Sequence, residues 1–123
     1  MPEARSRIEE LATAVFVPEN VLTAGLVVAI LVHGKGPVSF DAGRAAQSML
    51  LAAWAEGISS CPNGIADIDC ARRSLAATDA ETPVIVLSFG LPEKPRDPGR
   101  HTVAEWSARA NRRSIDEVVR WLP

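Results

Sequence analysis

An apolar helix followed directly by a turn of small residues occupies the middle of the chain, in the segment DAGRAAQSMLLAAWAEGISSCPNG at residues 41 to 64. Apolar residues recur there at three- and four-residue steps, which predicts an amphipathic helix. Asp41 is a good N-cap residue and Gly57 is a good helix stop. We therefore expect the helix to span residues 41 to 56.

The other side of this helix is also largely apolar. Leu51, Ala52 and Ala55 make it apolar as well, and a helix that is apolar nearly all round is buried on every side. In a chain of 123 residues, a second subunit could supply that cover. After the helix, the segment from Ser59 to Gly64 predicts a loop with open backbone N–H groups, which could form the floor of a cofactor pocket.

The rest of the chain predicts a small sheet with helices around it. The aliphatic run from Leu26 to Val32 predicts a central strand covered on both faces, and Pro83 to Phe89 a second central strand. The remaining expected elements are a helix at 3–15 ended by Pro18, a helix at 67–77 capped by Asp67 or Asp69, a proline-rich arm, a short helix at 103–110, and a final strand or extended tail at 115–121. This order indicates an α+β fold.

Composition and charge argue against several classes of protein. The formal net charge is −2, and acidic residues interleave with the late arginines, so a nucleic-acid partner is not indicated. The N-terminus lacks the pattern of a signal peptide, and the longest apolar run is shorter than the roughly 20 residues of a membrane span. Cys61 and Cys70 fit no zinc-binding spacing. We therefore expect a cytoplasmic protein without a metal site.

Five segments in order resemble the flavin-dependent nitroreductase family. They are the Asp-x-Gly-x-Ala-x-Gln-Ser-Met-Leu-Leu-Ala-Ala run at 41–53, the Gly-Ile-x-Ser-Cys turn at 57–61, the short stretch at 71–75, the strand and Gly-Leu-Pro at 82–92, and the Arg-Arg-Ser-Ile-Asp-Glu-Val-Val-Arg-Trp tail at 112–121. The resemblance covers about residues 20 to 121. It implies an α+β nitroreductase-like fold in a single domain over residues 1–123, with residues 91–123 as an extended C-terminal arm.

The N-terminal part departs from that family. It has neither the helix with an Arg-x-Ser-x-Arg motif that grips the flavin phosphate nor the Pro-Ser-x-x-Asn-x-Gln-Pro-Trp segment that follows it. The run Arg5-Ser6-Arg7 resembles the first motif only superficially. The resemblance therefore implies an N-terminally truncated relative with an open site.

A flavin mononucleotide (FMN) site is also implied by the resemblance. Pro62, Asn63, Gly64 and Ile65 match the family loop that lies against the flavin ring, where the backbone N–H at Gly64 would be directed at ring atom N5. The alternative is a plain turn, because Pro-Asn-Gly is a common turn sequence.

Two arginines near the C-terminus match the basic pair that binds the flavin phosphate in this family. Arg112 and Arg113 suit that role, since a guanidinium group donates parallel hydrogen bonds to a phosphate. The alternative is an exposed basic pair on a tail. Cys61 is expected to be a packing residue, and His33 and His101 lack the partners of an acid–base arrangement.

The implied activity is hydride transfer from NAD(P)H through FMN to a small-molecule electron acceptor, namely a nitro, quinone or enone compound. The implied assembly is a homodimer or higher oligomer with the flavin at the subunit boundary, and no side chain is predicted to be catalytic. The alternative is a truncated, flavin-poor nitroreductase-like dimer without robust catalysis. Loss of the phosphate grip would remove several charge-assisted hydrogen bonds, each of about 1.5 to 3 kcal/mol.

Overall fold

A three-stranded antiparallel sheet organises the protein, and the computed structural model describes residues 2 to 123. The strands are β1 (Leu26–Val32), β2 (Ser59–Asn63) and β3 (Thr82–Gly90), in the spatial order β1-β3-β2. The two outer strands therefore both pair with β3, and each has one edge that pairs with no other strand among the described residues.

Helices cover the two faces of this sheet. The helices α1 (Pro2–Thr13), α2 (Glu19–Leu22) and α4 (Ile68–Ser74) build the core on one face, and α3 (Val38–Ala55) crosses all three strands on the other. The core on the first face consists of Leu11, Ala12, Ala14, Val15, Val21, Cys70, Ala71 and Val86. The predicted α+β arrangement of a small sheet flanked by helices is confirmed.

The long helix α3 begins earlier than the sequence predicts. It starts at Val38 after Pro37, and Asp41 lies inside its first turn, so the prediction of Asp41 as N-cap is wrong. A carboxylate in the first turn still favours the helix, because it faces the positive end of the helix dipole. The predicted stop at Gly57 is confirmed, since Gly57 has φ +73 and its N–H donates to the Trp54 carbonyl.

The outer strands correct two further predictions. The segment Ser59–Asn63 was expected to be a loop but forms β2, and Pro62 is tolerated there because the strand lies at an edge. The strand β1 has the predicted bounds, but it lies at the other edge rather than in the centre. None of its seven residues is buried, so the prediction that it is covered on both faces is wrong for this chain alone.

The C-terminal residues beyond β3 are largely exposed. They contain a 3₁₀ turn (Pro98–Arg100), the helix α5 (Val103–Arg109) and the single-turn helix α6 (Ile115–Val118). The helix predicted at 103–110 is confirmed, whereas the final segment begins with a helical turn instead of a strand. Among the described residues, no helix has both the length and the apolar character that a membrane crossing needs.

Candidate functional site

The end of β2 carries the residues that the sequence predicts at the flavin ring, and a buried amide holds this end in place. Asn63 is only 4% exposed. Its Nδ2 donates to the carbonyls of Cys61 and Val86 and to Ser88 Oγ, each at 3.1 Å, and its Oδ1 accepts from Asn20 Nδ2 at 3.0 Å. Both ends of the amide are thus paired, as a buried polar group requires.

The next residue, Gly64, is fixed by the chain that leaves α1. Phe16 N–H donates to the Gly64 carbonyl at 3.2 Å, and Val15 pairs with Ile65 in an isolated antiparallel bridge. A Cβ atom added at Gly64 would lie 3.1 Å from Phe16 Cδ2, closer than ordinary contact. A side chain at position 64 therefore requires Phe16 to move, and glycine allows the Phe16 ring to approach the main chain closely.

A cleft of about 250 Å³ lies beside the same strand. Its lining includes Asn20 and Thr23 from the α2 region, the first three residues of β2 and the end of β3. Cys61 contributes its thiol, which accepts a weak hydrogen bond from Asn20 Nδ2 at 3.6 Å. The cleft offers hydroxyl, amide and backbone groups to a polar ligand.

The structure does not bring the predicted phosphate-binding arginines to this site. Arg112 and Arg113 are exposed in the turn between α5 and α6. Within residues 2 to 123, neither takes part in a side-chain hydrogen bond or an ion pair. Their predicted role stays a prediction.

A different arginine, which the sequence analysis did not single out, does contact the start of β2. Arg96 stacks its guanidinium 3.9 Å from the centre of the Trp54 ring, and its Nη2 donates to Ile58 O at 3.2 Å and to Ser59 Oγ at 2.9 Å. Its Nη1 is buried and has no hydrogen-bond partner among the described residues. No local sequence motif predicts this contact, because Arg96 and its partner residues lie nearly 40 positions apart in the sequence.

In the part of the chain that the structure describes, three carboxyl groups have lowered pKa values, and all three lie outside this site. The backbone N–H of Thr78, and then its hydroxyl, lower the pKa of Glu81. Thr102 lowers the pKa of Glu105, and Ser114 that of Glu117, in the same two ways. These bonds shape the turn before β3 and the first turns of α5 and α6.

Comparison with known proteins supports the resemblance. Residues 38–91 match the Nitroreductase family. No curated protein matches the chain. Similar solved structures include a nitroreductase family protein from Streptococcus pneumoniae TIGR4, which is 16% identical with a TM-score of 0.71, covering 96% of this chain and 76% of that one.

Two further solved structures are similar at the level of the fold. An FMN-dependent nitroreductase from Clostridium difficile R20291 is 18% identical, with a TM-score of 0.66, covering 85% of this chain and 65% of that one. A candidate NADH dehydrogenase or NAD(P)H nitroreductase from Parabacteroides distasonis is 18% identical, with a TM-score of 0.68, covering 82% and 65%.

The matches cover only part of several of these solved structures. The chain spans 60 to 66% of the length of several solved structures that it matches. The match at 38–91 contains α3, β2, α4 and β3, and therefore the predicted flavin loop. The resemblance read from the sequence is confirmed: the chain carries a nitroreductase-family segment at residues 38–91 and has the nitroreductase-like fold.

Proposed function

We propose that this protein is an FMN-dependent oxidoreductase of the nitroreductase type, which works as a homodimer and passes hydride from NAD(P)H to a nitro, quinone or enone acceptor. The family segment supports a flavin oxidoreductase. The names of two similar structures, an FMN-dependent nitroreductase and a candidate NAD(P)H nitroreductase, support the cofactor and the reductant.

The observation that carries the proposal is the rigid, glycine-bearing main chain at the end of β2. Asn63 is held by four hydrogen-bonding partners, and Gly64 is held through its carbonyl by Phe16. The ring of Phe16 lies where a Cβ of Gly64 would be. A flavin ring would therefore approach this fixed main chain from the side away from Phe16, where glycine adds no side chain of its own.

The part played by Pro62, Asn63, Gly64 and Ile65 is to hold and tune the cofactor. FMN, when bound, supplies the hydride chemistry, and the protein supplies position and electrostatics. A backbone N–H donor at Gly64 would favour electron density on the ring without titrating, so its effect would not change with pH. The buried Asn63 network would keep that donor in place.

Arg112 and Arg113 are the proposed contacts for the phosphate. Their exposure leaves both guanidinium groups available to an anion. Arg113→Ala should weaken FMN binding by about 2 kcal/mol, or about thirtyfold in the dissociation constant, because one charge-assisted hydrogen bond is lost. Arg109→Ala, an exposed arginine in α5, is the matched control. An unchanged dissociation constant for Arg113→Ala would place the phosphate elsewhere.

The outer face of α3 supports the proposed homodimer. Phe40, Leu51 and Trp54 share one helical stripe and are exposed there, whereas Ala42, Ala46 and Ala53 face the sheet. An exposed apolar face of this kind marks an interaction surface. Leu50, half-buried above the sheet, is a poorer probe of that surface than Leu51, which is 58% exposed. Leu51→Glu should therefore dissociate the dimer while leaving the fold intact, as light scattering and circular dichroism would show.

The sharpest test of the ring site uses Gly64 and Phe16 together. Gly64→Ala keeps the N–H but places a methyl group against Phe16, so FMN affinity and NAD(P)H oxidation should both fall. Adding Phe16→Ala removes the contact and should restore much of both. If Gly64→Ala binds FMN like the native chain, the ring does not lie against this segment.

The second candidate is a nitroreductase-like dimer that holds flavin poorly. What favours it is that, among the described residues, no side-chain hydrogen bond or ion pair joins Arg112 or Arg113 to the end of β2. A purified sample that is colourless and takes up no added FMN would support this candidate. A yellow sample that oxidises NAD(P)H would support the enzyme.

A further inference from the structure

Beyond its chain link to β3, the C-terminal arm at residues 91–123 is attached to the rest of the protein by one side chain. Arg96 donates from Nη2 to the Ile58 carbonyl and to Ser59 Oγ. Among the described residues, no other side-chain hydrogen bond and no ion pair joins the arm to residues 2–90. No residue of the arm is buried, so apolar packing adds little to this attachment.

The contact that Arg96 makes requires the geometry of a guanidinium group. This group lies 3.9 Å from the centre of the Trp54 ring, where the cation faces the electron-rich surface of the indole. The same planar group donates both hydrogen bonds to the start of β2, and its Nη1 is buried. A guanidinium can stack on a ring with its face while it donates from its edge. The contact therefore fixes both the position and the direction of the arm at residue 96.

The arm beyond this point is held together by its own contacts. The Asp97 side chain caps the 3₁₀ turn, and Trp106 Nε1 donates to the Pro98 carbonyl at 3.0 Å. The His101 ring meets the Trp106 ring edge to face, with 4.8 Å between the ring centres. These contacts tie the 3₁₀ turn to α5, so we expect residues 97–110 to move as one unit relative to the sheet.

This unit leads directly into the proposed phosphate contacts. The N–H of Asn111 donates to the Ala108 carbonyl, and Asn111 has φ +46, which turns the chain at the end of α5. Arg112 and Arg113 follow without an intervening residue. Arg96 is thus at one end of a locally bonded segment, and the two arginines are at the other end.

We propose that Arg96 is a positioning residue, which anchors the arm to α3 and β2 and thereby sets where Arg112 and Arg113 lie. The consequence for the cofactor rests on the proposed function, in which these two arginines bind the flavin phosphate. An arm without its anchor would sample many positions, and its arginines would meet the phosphate for a small part of the time. The apparent affinity falls in proportion to the fraction of time that the binding arrangement is present.

Backbone dynamics test the anchor without any flavin. In Arg96→Ala, the NMR order parameters of residues 97–110 should fall from about 0.85, typical of a rigid backbone, to below about 0.6. Those of β3 should stay unchanged if the rest of the protein remains folded. Arg100→Ala is the matched control, because Arg100 is exposed in the same turn and its side chain has no hydrogen bond or ion pair among the described residues. Arg96→Lys, which keeps a cation beside Trp54, should restore part of the order. Unchanged order parameters in Arg96→Ala would overturn the proposal.

Two flavins test the consequence for the phosphate. Riboflavin has the ring of FMN but no phosphate, so Arg96→Ala should weaken FMN binding about tenfold and leave riboflavin binding as in the native chain. In an Arg113→Ala background, Arg96→Ala should have little further effect, because two residues that act on one contact are not additive. An equal loss for both flavins, or an undiminished loss in that background, would overturn the proposal. If the native chain binds no FMN, the flavin proposal fails, and the order parameters still decide whether Arg96 anchors the arm.

Discussion

The strands β1 and β3 have similar aliphatic sequences but different surroundings. In β3, Pro83 and residues 86–88 are buried, with helices on both faces and a strand on each side. In β1, no residue is buried and one edge has no partner strand among the described residues. The composition of a strand thus indicates how much cover it needs, and its position in the sheet determines how much of that cover the chain itself supplies.

The largest predicted effect compares matched leucines in these two strands. Leu87→Ala in β3 should lower the free energy of unfolding by about 3 kcal/mol, because Leu87 is completely buried and its removal leaves a cavity. Leu31→Ala in β1 should cost about half of that in dilute solution, since Leu31 is only half-buried. Urea denaturation measures both. Equal costs would remove the distinction between the two strands.

Local sequence patterns predict two of the three strands, β1 and β3. The runs at 26–32 and 82–90 are long and aliphatic, and Asp67 caps α4 as one of the two expected caps, its side chain accepting from Cys70 N–H at 2.9 Å. Strand β2 was missed because its sequence, Ser-Ser-Cys-Pro-Asn, has weak strand propensity, and only its pairing with β3 makes it a strand.

Local sequence patterns could not predict the order of the strands in the sheet. It depends on which segments meet in space, so β1 was placed in the centre on its composition alone. The contact of Arg96 with Trp54 and Ser59 was missed for the same reason. Among the site residues, the segment 62–65 lies together as a continuous stretch must, whereas nothing in the sequence determines where the arm carries Arg112 and Arg113.

The second prediction concerns the amide that joins β2 to β3. Asn63→Ala should cost about 2 kcal/mol, because it leaves the Val86 carbonyl and Asn20 without their buried partner. Asn20→Ala should cost less, since Asn20 is half-buried and loses one hydrogen bond to Asn63. Thermal and urea denaturation of both variants check this order. The reverse order would show that α2, rather than β3, anchors the end of β2.

The smallest predicted effect is a pH dependence confined to the arm. Hydrogen bonds from Thr102 and Ser114 lower the pKa of Glu105 and Glu117 below the usual 4.5. The stabilisation is therefore present above the unfolded pKa and is lost as the pH falls through the lower folded values. Acidification should unwind the first turns of α5 and α6 while both strands keep their amide protection, as NMR would show. Glu105→Gln should remove the pH dependence in α5, whereas Thr102→Ala should only reduce it, because alanine keeps the backbone N–H that lowers this pKa most.

Equilibrium binding of FMN to the purified protein tests the central claim most directly. The account predicts saturable binding of one FMN per chain, weakened by Gly64→Ala and restored by adding Phe16→Ala. It also predicts that the bound flavin is reduced by NADH or NADPH. A folded protein that shows no saturable FMN binding would contradict the account of this protein as a flavin oxidoreductase.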